Sequence, residues 1–230
     1  MSEPQLFRSA PRRVLGAARA LRAFFLPNYC PFCDIPIGIT EYYCGSCEGK
    51  IKPVDFCEIP DNIDRIYACA EYEGAVRDAI LRMKNGSYRY AAETFGMMLT
   101  ECIGEDIADF DLITYVPSAP SRGFQLGYEH SKNIAGEVAI RAFKPLRCTL
   151  KILHKTSQQK TLTRKQRFEN AQNMFEFVNK EYIAGKNILI VDDISTTGAT
   201  LASAAKQLRL AGASGVSAAV FAKTMLRVYR

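Results

Sequence analysis

Asp192 and Asp193 stand side by side directly after Ile188-Leu189-Ile190-Val191, and Ser195-Thr196-Thr197-Gly198-Ala199-Thr200 follows within two residues. The apolar run shows no alternation, which is the pattern of a strand buried on both faces of a parallel sheet. Open α/β sheets bind their ligands at the carboxyl ends of such strands. The small, hydroxyl-rich turn leads into an Ala-rich helix expected from near Leu201, so its backbone N–H groups and the helix N-terminus make an anion cradle. Ser and Thr add donors without bulk, and Gly198 lets the backbone approach closely. Carboxylates beside such a cradle would repel a bare phosphate. A ligand presenting both hydroxyls and a phosphate, such as a ribose 5-phosphate, satisfies both halves. The plain alternative, an acidic strand end running into a Thr-capped helix, accounts for acids near a helix start but not for the whole ordered string.

A second group of chemically capable residues lies near the other end. Cys30-Pro31-Phe32-Cys33 and Cys44-Gly45-Ser46-Cys47 are two C-x-x-C knuckles. Each tight turn points two thiolates at one ion, and two pairs complete a closed four-cysteine site with no open position, hence a structural one. Zinc is favoured over an iron–sulfur cluster because the paired knuckles resemble a zinc ribbon; reduced thiols without metal are the plain alternative. A module of about 30 residues cannot bury a core alone, so the ion would supply its folding energy. Cys57 is an alternative ligand, and Cys69, Cys102 and Cys148 read as core residues.

The elements that must position these groups follow from periodicity. Strands are expected over 65–73, 112–116, 147–153, 174–178, 188–191 and from Val216. Helices are expected through Val76, Ile80 and Met83 as far as Asn85-Gly86, then over 91–103, 130–143 and 201–210, with Gly212 as a stop. Alternation of strands and helices implies an α/β fold with a doubly wound parallel sheet and right-handed crossovers. The chain has 230 residues, 48% hydrophobic and 23% charged, enough for one ordinary domain with a small appendage. Its net charge of +6 permits attraction to phosphates or nucleic acid. No run approaches the roughly 18 apolar residues of a transmembrane helix, so no stable membrane insertion is expected. Arg8, Arg12, Arg13, Arg19 and Arg22 make the N-terminus basic, and the last two interrupt any signal-peptide core. The expectation is cytoplasmic. Val14, Ala17, Ala18, Leu21 and Phe25 recur at helical spacing, read as a helix that packs on its own domain rather than on a membrane or nucleic acid. The implied organisation is a basic amphipathic helix over 1–27, a four-cysteine zinc ribbon over 28–58 and an α/β domain over 59–230.

The acid pair followed by Thr-Thr-Gly-x-Thr resembles the 5-phosphoribosyl-1-pyrophosphate (PRPP) motif of type I phosphoribosyltransferases. With the knuckles, the whole chain resembles the ComF (competence protein F) family, zinc-ribbon proteins of that transferase kind associated with DNA uptake. Tyr72, Gly74, Ile80 and Lys84, then Val116-Pro117, then Gln159, Leu162, Arg167, Asn170 and Phe175 match family landmarks in order. One stretch departs: where the family carries Arg-Gly-Phe/Tyr-Asn-Gln/His, this chain reads Leu126-Gly127-Tyr128-Glu129-His130. The nearby Arg122-Gly123-Phe124 sits out of register. Losing a pyrophosphate-contacting arginine would remove a charge-assisted bond worth roughly 1.5–3 kcal/mol.

The resemblance implies PRPP bound with Mg2+, and transfer of phosphoribosyl with release of pyrophosphate. Asp192 and Asp193 would orient the ribose, directly or through metal-bound water, and stabilise the oxocarbenium-like state. Ser195, Thr196, Thr197, Gly198, Ala199 and Thr200 would anchor the 5-phosphate. Arg167, with Arg164 and Lys165, would close over the leaving group. His130 and His154 are the two histidines; either can move protons, though both read more simply as ordinary polar residues. The acceptor is unidentified and would be held by residues 57–105 or the ribbon. Two other functions stay open: PRPP binding without catalysis, and a single-stranded-DNA-handling role in partnership with uptake proteins.

Overall fold

The computed structural model describes residues 28–86, 90–118, 129–153 and 174–225. Four strands, β1 (Ile66–Glu71), β2 (Leu112–Tyr115), β5 (Asn187–Ser195) and β6 (Gly215–Lys223), form one sheet in the order β1-β6-β5-β2. All three pairings are parallel, with Ile190 opposite both Thr114 and Ala218. Five helices are described: α1 (Gly45–Glu48), α2 (Gly74–Lys84), α3 (Ala91–Ile103), α4 (His130–Ala142) and α5 (Ala199–Leu210).

The unbroken apolar run of β5 has its physical reason in the two cores that sandwich it. Leu189 and Val191 join Ile80, Met83, Phe95, Leu99, Ile134 and Val138 on one face. Ile188 and Ile190 join Leu201, Ala204, Ala205 and Leu208 of α5 on the other. Both faces are therefore dry, as a parallel sheet requires. Helices α3 and α4 approach closely at Gly96, where an added Cβ would lie 2.3 Å from Cβ of Glu137.

Two expected strands leave the parallel sheet. β3 (Leu150–Ile152) and β4 (Phe175–Phe177) pair antiparallel in a separate ribbon, Leu150 opposite Phe177. Each is three residues long and buries a single face: Leu150 and Phe175 enter the α5-side core while Lys151 and Glu176 form an exposed ion pair at 3.0 Å. Such half-wet strands suit an antiparallel ribbon. The backbone N–H of Met174 donates to Ser203 Oγ on α5 at 3.2 Å, tying the ribbon to that helix. The core assignment of two cysteines also changes: Cys102 and Cys148 are exposed, while Cys69 is half-buried and packs against the main core. Among the described residues no helix is long and apolar enough to cross a membrane.

Candidate functional site

Adjacent strands β2 and β5 lead to helices on opposite faces of the sheet, α4 on one side and α5 on the other. Their carboxyl ends therefore border a crevice, the position where doubly wound sheets take ligands. Asp192 and Asp193 lie there, within β5, which runs on to Ser195 instead of stopping at Val191.

Both residues are buried, Asp192 at 8% and Asp193 at 7% of whole-residue exposure. Asp192 Oδ1 accepts from Ser131 Oγ at 2.7 Å and from the backbone N–H of Asp193 at 2.9 Å. Burial, reinforced by the neighbouring charge of Asp193, nevertheless pushes the Asp192 carboxyl up to about 7, with Ser131, the Asp193 amide and Lys84 opposing. Asp193 is balanced by an ammonium: Lys84 Nζ, from the last residue of α2, lies 2.9 Å from its Oδ2. His130, first residue of α4, is held below its usual range mainly by burial; Asp193 pulls it up and Lys84 pushes it down. A buried acid with a raised proton affinity in a crevice, as Asp192 is, marks a candidate working site.

The turn after the acids is built as an open cradle. Ser195 Oγ is buried with no hydrogen-bond partner among the described residues, while the Ser195 carbonyl accepts from the Thr224 amide at 2.9 Å. Lys223 Nζ donates to the Thr196 carbonyl. Thr197 Oγ1 accepts from the Ala199 amide at 3.4 Å, and Thr196 and Thr197 are exposed. Gly198 has φ +80, and a Cβ there would lie 2.6 Å from Cγ of Pro60. Glycine is thus required twice, for the left-handed backbone and for the approach of the 53–65 connector. α5 starts at Ala199, so Ala199 and Thr200 stand in its first turn, one or two residues earlier than expected.

The four cysteines of the knuckles converge. Their Sγ atoms all lie within 4.8 Å of one another, with Cys33 and Cys44 at 3.5 Å. A tetrahedral ion with bonds of about 2.3 Å needs sulfurs about 3.8 Å apart, so the cluster fits a metal centre with four thiolate ligands. Cys57 is outside it; its thiol faces the Glu58 carbonyl at 3.6 Å. The knuckle turn is pinned by the Cys30 amide donating to the Ile35 carbonyl and the Asp34 amide to the Cys30 carbonyl, with Asp34 left-handed at φ +65.

This cysteine module packs into the main core. Cys30, Phe32, Cys44 and Cys47 belong to the same buried cluster as α2, α3 and α4. Phe32 meets Phe95 at 6.1 Å, and Phe95 stacks on Phe221 of β6 at 3.8 Å. Arg82 Nη2 donates to the Pro31 carbonyl at 2.7 Å, Thr94 Oγ1 donates to the Tyr42 carbonyl at 3.0 Å, and the buried Arg141 reaches the Tyr42 hydroxyl at 3.5 Å while pairing with Glu137. Residues 52–53 add to the edge of β1 through a Pro53–Ala70 bridge.

The structure brings together Asp192, Asp193 and the 195–200 turn, and separately Cys30, Cys33, Cys44 and Cys47. Arg167 lies outside the described residues, as do Arg164, Lys165, His154, Gln159, Leu162, Asn170, Arg122, Leu126, Gly127, Tyr128 and the whole 1–27 segment. Glu129 is described, with Lys132 at 3.5 Å. Two groups at the acids escaped the sequence reading. Ser131 gave no signal, being an ordinary helix-start serine. Lys84 stood out only as a landmark, and nothing local said that α2 would deliver it to Asp193.

Comparison with known proteins finds one family match and several similar solved structures. Residues 121–228 match the phosphoribosyl transferase domain family. The parallel sheet with helices on both faces is the type I phosphoribosyltransferase fold, here with an N-terminal cysteine cluster that fits a zinc ribbon. Among solved structures, the chain is similar to the glutamine PRPP amidotransferase from B. subtilis complexed with ADP and GMP. Identity is 21% over 56% of this chain and 25% of that one, with a TM-score of 0.41; the chain thus spans a quarter of that protein's length. The purine phosphoribosyltransferase from Pyrococcus horikoshii Ot3 is 20% identical over 60% of this chain and 77% of that one, TM-score 0.36. The orotate phosphoribosyltransferase from Aeropyrum pernix is 22% identical over 60% of each, TM-score 0.36. No curated protein matches the chain.

Proposed function

We propose that this chain binds PRPP at the carboxyl end of β5 and transfers its phosphoribosyl group to an acceptor. The observation that carries the reading is one continuous segment, β5 to α5, that sets two buried acids directly before a hydroxyl-rich turn at a helix N-terminus. In this assignment Asp192 and Asp193 hold the ribose hydroxyls, and the amides and hydroxyls of 195–200 hold the 5-phosphate at the α5 N-terminus. The bond from the anomeric carbon to pyrophosphate breaks, a bond to the acceptor forms, pyrophosphate leaves, and the acceptor's proton passes to solvent. The buried carboxylates face the positive charge that develops at that carbon. Arg167 is assigned to the leaving group. Mg2+, held chiefly by the substrate's own oxygens, would neutralise charge on the departing pyrophosphate. Zinc is the ion assigned to Cys30, Cys33, Cys44 and Cys47.

We also assign the chain to the ComF family, on the cysteine knuckles joined to a phosphoribosyltransferase domain, with a role in natural DNA uptake and the 1–27, 28–58 and 59–230 organisation. A second reading, PRPP binding without turnover, is favoured by one observation: Glu129 brings a carboxylate to the start of α4, where the family carries an amide side chain.

Calorimetric titration of Mg2+–PRPP into the wild type and the Asp192→Asn/Asp193→Asn double variant, with pyrophosphate assayed in the same samples, tests the assignment. Saturable binding that the double variant loses supports the site, and pyrophosphate release selects transfer or hydrolysis over sensing. No binding at millimolar ligand refutes it.

A further inference from the structure

The acid pair is met by a described cation that comes from outside the matched transferase region. Lys84 Nζ lies 2.9 Å from Asp193 Oδ2, and the two side chains differ in setting: Lys84 is 36% exposed and Asp193 only 10%. The ammonium is thus the solvent-side partner and the carboxylate the buried one. Among the described residues, the other groups facing the pair are Asp192, Ser131 and His130, and none of them carries a fixed positive charge.

The end of α2 is anchored on both sides of the lysine. Arg82, two residues earlier, is held by the Pro31 carbonyl of the first knuckle. Asn85 closes the helix with its amide on the Leu81 carbonyl. A helix C-terminus favours a lysine there for dipole reasons alone, but the dipole does not direct it onto a buried carboxylate.

We propose that Lys84 is a specificity-determining residue that discriminates PRPP from ribose 5-phosphate. In the empty site its ammonium neutralises Asp193. When ligand enters, the ammonium passes to the pyrophosphate on the anomeric carbon and frees Asp193 for a ribose hydroxyl. The exchange conserves one charge-assisted contact for Lys84 and adds one for Asp193. Ribose 5-phosphate has no pyrophosphate, so it must break the ion pair without replacing it. This proposal rests on the PRPP reading above.

The test is calorimetry with two probes, Mg2+–PRPP and ribose 5-phosphate, on the wild type, Lys84→Gln and Lys84→Arg. The wild type is expected to prefer PRPP. Lys84→Gln should lose about tenfold or more in PRPP affinity, the worth of one charged hydrogen bond, while ribose 5-phosphate binds as well as before or better. Lys84→Arg should keep most of the preference. An equal loss for both ligands would make Lys84 a mere support for Asp193, and an unchanged preference would remove it from the pyrophosphate; either overturns the proposal while leaving PRPP binding intact. A wild type that binds neither ligand would instead overturn the PRPP reading itself, and this proposal with it. Matching thermal melts of the three proteins exclude misfolding as the cause, and Lys84→Arg keeps the comparison decisive if Lys84→Gln does not fold.

Discussion

Asp192 sets function against stability in a way that one substitution separates. Burial and the charge of Asp193 raise its carboxyl from 3.8 to about 7 in the folded chain. A raised acid binds its proton more tightly folded than unfolded. Its contribution is therefore fully present below the unfolded value near 3.8 and is lost as pH rises through the folded value near 7. At about 1.36 kcal/mol for each pH unit between the two values, ionised Asp192 costs the fold about 4 kcal/mol on the alkaline side. Asp192→Asn removes that cost and keeps the acceptor: an amide oxygen takes the Ser131 hydroxyl and the Asp193 amide as the carboxylate does. Urea denaturation of both proteins at about pH 5 and about pH 8 is the assay. The variant should gain on the order of a few kcal/mol over the wild type at the higher pH and less at the lower, while losing PRPP binding. A gain that does not depend on pH, or a variant weaker than the wild type at about pH 8, would refute the reasoning, because the stored cost would then not be electrostatic.

Stripping the ion from the four-cysteine centre with a chelator, or Cys30→Ser, should lower the melting temperature of the whole described fold in a single transition, read by calorimetry, because Cys30, Phe32 and Cys47 share one core with α2, α3 and α4. Gly96→Ala should cost about 1–3 kcal/mol by overpacking, since its methyl would meet Cβ of Glu137 at 2.3 Å and neither helix backbone can yield cheaply; urea titration measures it. Gly198→Ala should cost roughly 1–2 kcal/mol for the left-handed backbone alone and weaken PRPP binding, because the methyl also strikes Pro60; calorimetry with Mg2+–PRPP checks the second part.

Much of this architecture was legible because its signals are local. Ile188 to Val191 have no polar face, so both sides of β5 had to be covered. Asn85-Gly86 and Gly212 stop helices through backbone conformation, with φ +80 and +95 at the two glycines. The cysteine spacing alone predicted convergence of four thiols. What stayed hidden depends on contacts distant in sequence. Leu150 and Phe175 look like sheet strands, yet the two strands that hold them pair with each other. Cys102 and Cys148 sit among apolar neighbours in sequence, but burial is decided by which face turns outward. Ser131 reaches Asp192 across 61 residues of chain, Lys84 reaches Asp193 across a still longer stretch, and no periodicity encodes such meetings.

The ring column from Phe32 through Phe95 to Phe221 bears on how the chain can be divided. A fragment cut after residue 58 would uncover the Phe95 ring edge, orphan the Arg82 and Thr94 donors from Pro31 and Tyr42, and strip the edge of β1 of Pro53. The sequence looks like a bead on a string, with a natural scissor point between the cysteines and the first strand. The packing makes that point a cut through the keystone, so a fragment of the α/β domain grafted without its cysteine module would need a new surface designed over α3 before it could stand alone.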